Sequence, residues 1–186
     1  MIMKNFLMLT MIIILTSCGL GDKEKQEAKQ EDRIEQSDEK TTLPIAKESW
    51  RGWKPPKQVN GYTLTYYETD PFSSKNLYSA SLRYEKGGVK VPITIVDGST
   101  GKGTAEIRQH REFAEKELNH ESSFGYEKTV DYNGTNAREE YLNATKQYLI
   151  RFLYKNRYGV SVKSKAPSSE ELWELIEGLQ SNELEK

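Results

Sequence analysis

The feature that most constrains this fold is a pair of alternating runs around Gly87-Gly88. Tyr78, Ala80, Leu82 and Tyr84 alternate with Ser79, Ser81, Arg83 and Glu85, and the chain resumes as Val89, Val91, Ile93 and Ile95. A period of two sends successive side chains to opposite faces of a strand, and a Gly-Gly pair adopts the positive φ angles of a tight hairpin turn. An antiparallel hairpin follows. Pro92 interrupts the second run, which predicts an edge strand or a bulge. Tyr62, Leu64 and Tyr66, alternating with Thr63, Thr65 and Tyr67, predict a further strand upstream.

The alternation then stops. From Thr104 to about Glu121 the apolar residues fall at Ile107, Ala114 and Leu118 with Phe113 beside them, a pattern that predicts one helix. Four more strands are expected at 124–130, 137–142, 147–154 and 158–163, with turns at Asn133-Gly134 and Lys155-Asn156-Arg157. Tyr148, Ile150, Phe152 and Tyr154 share one face, and apolar residues on the other face predict a strand covered on both sides. Pro167-Ser168 opens a second helix. Ser168 and Glu171 form a capping box, and Leu172, Leu175, Ile176 and Leu179 give its stripe, with Trp173 beside them. The expected class is α+β: an antiparallel sheet of about six to seven strands with two helices packed on it.

That domain does not account for the whole chain of 186 residues, of which only 35% are hydrophobic. Lys4 precedes an apolar run over 6–15, followed by Thr16, Ser17 and Cys18, the arrangement of a secretory signal peptide. The run is shorter than the roughly 20 residues of a membrane-spanning helix. Leu15-Thr16-Ser17-Cys18 matches the lipobox, and the chain resembles the bacterial lipoproteins, in which the cysteine is lipidated and becomes the mature N-terminus. Cys18 is the sole cysteine, so internal disulfides and multi-cysteine metal sites are excluded. The resemblance implies acyl chains, palmitate among them, and stable anchoring takes more than one. Gly19 stands where an inner-membrane retention signal has aspartate, which points to the outer membrane, on its periplasmic face or at the cell surface.

Residues 19–48 hold nine acids and six bases without one aromatic residue. Such a segment buries too little apolar surface to offset its ordering entropy. Helix formation is opposed by like-charged i,i+4 pairs: Lys25–Lys29, Glu27–Glu31, Lys29–Arg33 and Glu31–Glu35. The expected organisation is a signal peptide over 1–17, the lipidated Cys18 with a disordered charged tether over 18–48, and one domain over 49–186. The domain has 19 acids and 20 bases, too even a balance for a nucleic-acid coat.

Its second half also resembles a family of small bacterial lipoproteins with the PsbP-like α/β fold. The matching residues are Gly125-Tyr126-Glu127-Lys128, Asn133-Gly134-Thr135-Asn136-Ala137 with Tyr141, the strand Tyr148–Tyr154, Arg157-Tyr158-Gly159-Val160-Ser161-Val162, and Ser169-Glu170-Glu171-Leu172. The resemblance implies an antiparallel sheet backed by helices and an accessory or binding role.

Catalytic chemistry finds little material. His110 and His120 both lie on the predicted helix, where ten residues separate them by ~15 Å along the axis, so they share no ion and read as surface residues. Neither a metal site nor a cofactor is expected. No G-x-S-x-G occurs, and Glu139-Glu140 and Glu170-Glu171 are explained by a strand face and a helix first turn. The chain is therefore expected not to be an enzyme. In the loop 97–104, Gly101, Lys102, Gly103 and the expected cap Thr104 offer a small-anion site at a helix start. It is no nucleotide loop, since Gly103 stands at the Ser/Thr position after the lysine. Trp50 and Trp53 either pin the tether to the domain or, if exposed, dock a partner. The tyrosines form core on a buried face and stack on sugars or on a protein when exposed.

The leading expectation is a membrane-anchored envelope lipoprotein serving as a non-catalytic accessory or partner-binding module for an unknown envelope protein. A lipoprotein binding a small anion or glycan is the alternative. A pocket lined by tyrosines or by Lys102 would favour the latter.

Overall fold

Gly87 and Gly88 turn with φ of 58° and 82°, joining β3 (Ser79–Lys86) to β4 (Val89–Asp97) in continuous antiparallel register. The computed structural model describes residues 50, 52–181 and 184; Cys18 and the segments expected to be a signal peptide and a tether lie outside them. β2 (Tyr62–Thr69) pairs with the outer side of β3, and the two-residue β1 (Gln58–Val59) pairs with β2. A helical stretch follows β4: α1 (Gly101–Glu106), then α2 (Arg108–Glu115). The chain returns as β5 (Asn119–Ser122), β6 (Gly125–Tyr132), β7 (Thr135–Leu142), β8 (Gln147–Tyr154) and β9 (Tyr158–Ser164), and then α3 (Ser169–Glu177). The strands form one antiparallel sheet in the order β1-β2-β3-β4-β9-β8-β7-β6-β5. Two meanders meet where β4 pairs with β9, Ile93 opposite Val162 and Asp97 opposite Tyr158.

This architecture overturns the expected six to seven strands with two helices, and with it the PsbP-like arrangement. There are nine strands in one sheet and three short helices among the described residues. Three local causes account for the difference. Asn60 and Gly61 adopt φ of 48° and 82°, so an Asn-Gly turn folds β1 back onto β2. The single helix expected over 104–121 breaks at Ile107, whose side chain is fully buried against Gly98 and Gly159. It ends again at Lys116, where the backbone is extended, and the next residues pair with β6 as β5. His110 and His120 are thus on different elements, and His110 is buried rather than at the surface.

Two strand details also differ. β4 is interior, and Pro92 sits one residue short of where β9 pairing begins at Ile93, so its missing N–H takes no ladder bond from that partner. The bulge lies in β2, between Leu64 and Tyr66. It reverses the face sequence there, leaving Tyr66 exposed and packing Tyr67 on the core.

One face of the sheet carries the main core. Ala80, Leu82 and Tyr84, then Val91, Ile93 and Ile95, then Val160 and Val162, and finally Ile150 and Phe152, are all buried there. Leu172, Leu175 and Ile176 of α3 complete it. The hydroxyl of Ser168 accepts from the Glu171 N–H at 3.4 Å. The other half of the capping box is diverted, because the Glu171 carboxylate accepts from Tyr62 Oη and Lys86 Nζ, tying α3 to the first meander. On the opposite face α2 covers β7, β8 and β9, and the Phe113 ring lies between the guanidinium groups of Arg138 and Arg151, at 4.8 and 5.2 Å.

Candidate functional site

β6, β7 and β8 carry an aromatic ladder at the end where α3 begins. The register sets Tyr126 opposite Tyr141 and Tyr141 opposite Tyr148. The ring centroids are 5.9 and 4.6 Å apart, respectively. One step along the same face, Lys128 stands opposite Glu139.

Glu139 organises this corner. Although carboxylates are rarely buried without partners, its side chain is about 2% exposed. Three donors meet it: Tyr126 Oη at 2.7 Å and Lys128 Nζ at 3.1 Å on Oε1, and Trp173 Nε1 at 2.7 Å on Oε2. Burial on its own would raise the carboxyl, but donation from Tyr126, Trp173 and Lys128 outweighs it and holds the group below its ordinary value. Tyr126 moves the other way, raised first by burial and then by its bond to the Glu139 carboxylate. Trp173 is itself stacked on Tyr132 at 5.4 Å, so the acceptor, the donor and the helix hold one another in place.

Above this support opens a cleft of about 300 Å³. β5 contributes Asn119 and Glu121, β6 contributes Tyr126 and Lys128, β8 contributes Tyr148, and the first turn of α3 contributes Ser169 and Glu170. Glu170 is held below the usual carboxylate value by its own backbone N–H and by the Ser168 hydroxyl. The lining therefore mixes π faces with hydroxyl, amide, ammonium and carboxylate groups. That set suits a ligand with an apolar ring face and many hydrogen-bonding edges. Glu139, with both oxygens occupied, positions Tyr126 and Lys128 rather than presenting a free acceptor.

Comparison with family models, with curated proteins and with solved structures found no match.

The residues singled out in the sequence fall elsewhere. Trp50 and Trp53 are 0% and 2% exposed, so they form no exposed docking pair. Tyr67 Oη is 2.8 Å from both the Trp50 and Trp53 carbonyls, and Trp53 Nε1 donates to the Gln180 carbonyl at 3.3 Å, which fixes this segment to the core and to the chain just after α3. Nor do Gly101, Lys102, Gly103 and Thr104 make a cradle. The cap of α1 is Thr100, whose hydroxyl accepts the Gly103 N–H at 3.0 Å, while Thr104 donates its hydroxyl to the Gly98 carbonyl. Gly103 is buried so closely that a Cβ would lie 1.9 Å from the Asp97 carbonyl oxygen. The N–H groups of Gly98, Ser99 and Gly103 already have partners in the Arg157 carbonyl, the Asp97 carboxylate and the Thr100 hydroxyl, and Thr100 donates in turn to the Asn76 carbonyl. Gly101 and Lys102 are exposed, and Lys102 borders an apolar hollow of about 360 Å³ with Phe72, Leu77 and Ala105.

Glu139, Lys128, Trp173, Asn119 and Glu121 escaped the sequence reading. The available signal was the same-face spacing of Tyr126 with Lys128 and of Glu139 with Tyr141, two pairs that match once β6 and β7 are joined at Asn133-Gly134. Among the described residues, no group of three or more His, Cys, Asp or Glu is placed to hold a metal ion, and no helix is long and apolar enough to cross a membrane.

Proposed function

We propose that this chain is an envelope lipoprotein, anchored through lipid on Cys18, whose domain is a non-catalytic binding module that takes a glycan in the Tyr126–Tyr148 cleft. The observation that carries the reading is the buried Glu139 holding Tyr126 and Lys128 at the cleft wall by 2.7 and 3.1 Å contacts. A carboxylate kept so deep, with three donors, is a costly arrangement that suits a preorganised recognition surface. The cleft has the mixed lining that saccharide rings need, and its volume is at the lower end for small-ligand sites. With both tryptophans in the core, this cleft supports ligand binding better than the two indoles support partner docking.

Two measurements test the proposal. Titration of a saccharide panel into the protein by calorimetry is expected to find a binder, and Tyr148→Ala is expected to weaken it roughly tenfold, the loss of one stacking platform. Binding that is indifferent to Tyr148 would remove the cleft from the account. Separately, Cys18→Ser is expected to move the protein from the membrane fraction to the soluble fraction, because without acyl chains no anchor remains. Retention in the membrane would refute the lipid anchor.

A further inference from the structure

The sheet has two edges, β1 with β2 on one side and β5 on the other, and they differ. At the first, β2 is bulged between Leu64 and Tyr66 and is partly covered by β1, two devices that discourage pairing with another chain. At the second, β5 runs without a bulge and all four of its residues are exposed. Thr129 donates its N–H to the Leu118 carbonyl at 2.7 Å. Hydrogen-bonded pairs alternate along an antiparallel ladder, so in this register Leu118, His120 and Ser122 turn their peptide groups towards β6. Asn119 and Glu121 turn theirs outward. Apolar side chains stand exposed at both ends of this open edge, Leu118 before it and Phe124, 81% exposed, on the turn after it. That turn is firmly held. Phe124 donates its N–H to Ser122 Oγ at 3.2 Å and accepts from the Asn143 N–H at 2.9 Å, and Asn143 Nδ2 donates to the Ser123 carbonyl at 2.9 Å.

The occupant that fits this edge is a second copy of it. Two β5 strands related by a two-fold axis normal to the sheet run antiparallel, and their outward peptide groups meet one another. With the axis at His120, Asn119 of each copy lies opposite Glu121 of the other, so an amide faces a carboxylate twice. Leu118 then lies opposite Ser122 of the second copy and diagonal to its Phe124, which brings the apolar ends together. The neighbouring registers lack this match. An axis at Glu121 sets the two Glu121 carboxylates against each other, and an axis at Asn119 sets Glu117 against Glu121. We infer that this chain forms a two-fold dimer through β5, centred on His120, in which the sheet continues from one copy into the next. Strands this short make a contact below the standard interface size, so the dimer is weak in dilute solution. The tyrosine clefts of the two copies open on the same face, three strand spacings or about 14 Å apart across the sheet. The dimer goes beyond the glycan reading and stands without it.

The test is disulfide crosslinking of the full-length protein in detergent micelles under mild oxidation. At the axis the two residue-120 Cα atoms face each other as a non-hydrogen-bonded pair about 4.5 Å apart, within disulfide reach, whereas the two residue-122 Cα atoms are about 14 Å apart. His120→Cys is expected to give a disulfide-linked dimer. Ser122→Cys, on the same face, is expected to stay monomeric, as is the unsubstituted chain, which controls for Cys18. Adding Asn119→Glu to His120→Cys places like charges opposite each other twice and is expected to cut the crosslinked fraction about threefold or more. Adding Glu121→Asn as well restores an amide opposite each carboxylate and is expected to recover it. Crosslinking of Ser122→Cys as strong as that of His120→Cys would mean chance encounter or another register, and the inference fails. A His120→Cys protein that does not crosslink, or whose crosslinking is indifferent to Asn119→Glu, overturns the dimer.

Discussion

Replacing Asp97 with alanine is expected to remove about 3–5 kcal/mol of stability, the usual cost of leaving one partner of a buried ion pair alone. Asp97 is fully buried at the end of β4, where the two meanders join. Its carboxylate accepts from Arg157 Nε at 2.8 Å and Nη2 at 2.9 Å, a bidentate contact, and from the Ser99 N–H at 3.0 Å. The backbone is tied as well, since Asp97 donates its N–H to the Tyr78 carbonyl and Gly98 donates to the Arg157 carbonyl. One residue therefore fixes the β3–β4 end, the entry to α1 and the β8–β9 turn. Alanine would leave the Arg157 guanidinium over the Tyr158 ring without its carboxylate. In thermal unfolding the loss should read as a fall of roughly 10–20 °C. The double variant Asp97→Leu, Arg157→Leu should recover part of it, because the desolvation cost of both charges goes with the pair. A single-variant loss below about 1 kcal/mol, the size of a surface pair, would show that the pair does not hold the meanders together.

The same corner illustrates how far the sequence could be read. The hairpin at Gly87-Gly88 is legible because strand period and turn chemistry agree from Tyr78 to Ile95. The Asn60-Gly61 turn carries an equally strong local signal, but Gln58-Val59 is too short for any period to show, and β1 was missed. The break at Ile107 is tertiary in origin. Gly98 and Gly159 leave room for its side chain on the sheet, a Cβ at either falling 2.1 or 2.6 Å from an Ile107 carbon, and neither is adjacent to it in sequence. The β5 segment Asn119-His120-Glu121-Ser122 favours helix weakly, so an open sheet edge captures it. Thr100 caps α1 instead of Thr104 for a similar reason: the chain turns as soon as Asp97 is anchored. In the sequence, Glu139 reads only as one of two adjacent carboxylates on a strand face, with nothing local to mark it as buried. Burial of one member depends on α3, which arrives thirty residues later to set Trp173 against it.

Acid is expected to weaken the fold before most carboxylates titrate, and His110 is the cause. This residue, 7% exposed on α2, has Nε2 2.8 Å from Ser161 Oγ on β9. Burial first, and then the positive charge of Arg151, depress its pKa from the ordinary 6.5 to about 4, against weaker opposing contacts with the Val160 and Ile107 backbone. The unfolded chain therefore takes up a proton on this histidine at higher pH than the native one does. Stability is complete above the unfolded value near 6.5 and falls as the pH drops towards 4, by roughly 3 kcal/mol in all. Glu140, raised by burial, acts in the opposite direction, and Glu139, lowered by its donors, withdraws stability only as the pH reaches the usual carboxylate range. The fall between pH 6.5 and 5 is thus carried by the histidine. Urea midpoints of the full chain, taken at half-unit steps from pH 7.5 to 4.5, should decline through this window. Those of His110→Gln, which keeps a polar partner for Ser161 and does not titrate, should stay nearly level down to pH 5. Parallel profiles for the two proteins would mean that protonation of His110 is not resisted by the packing of α2 on the sheet.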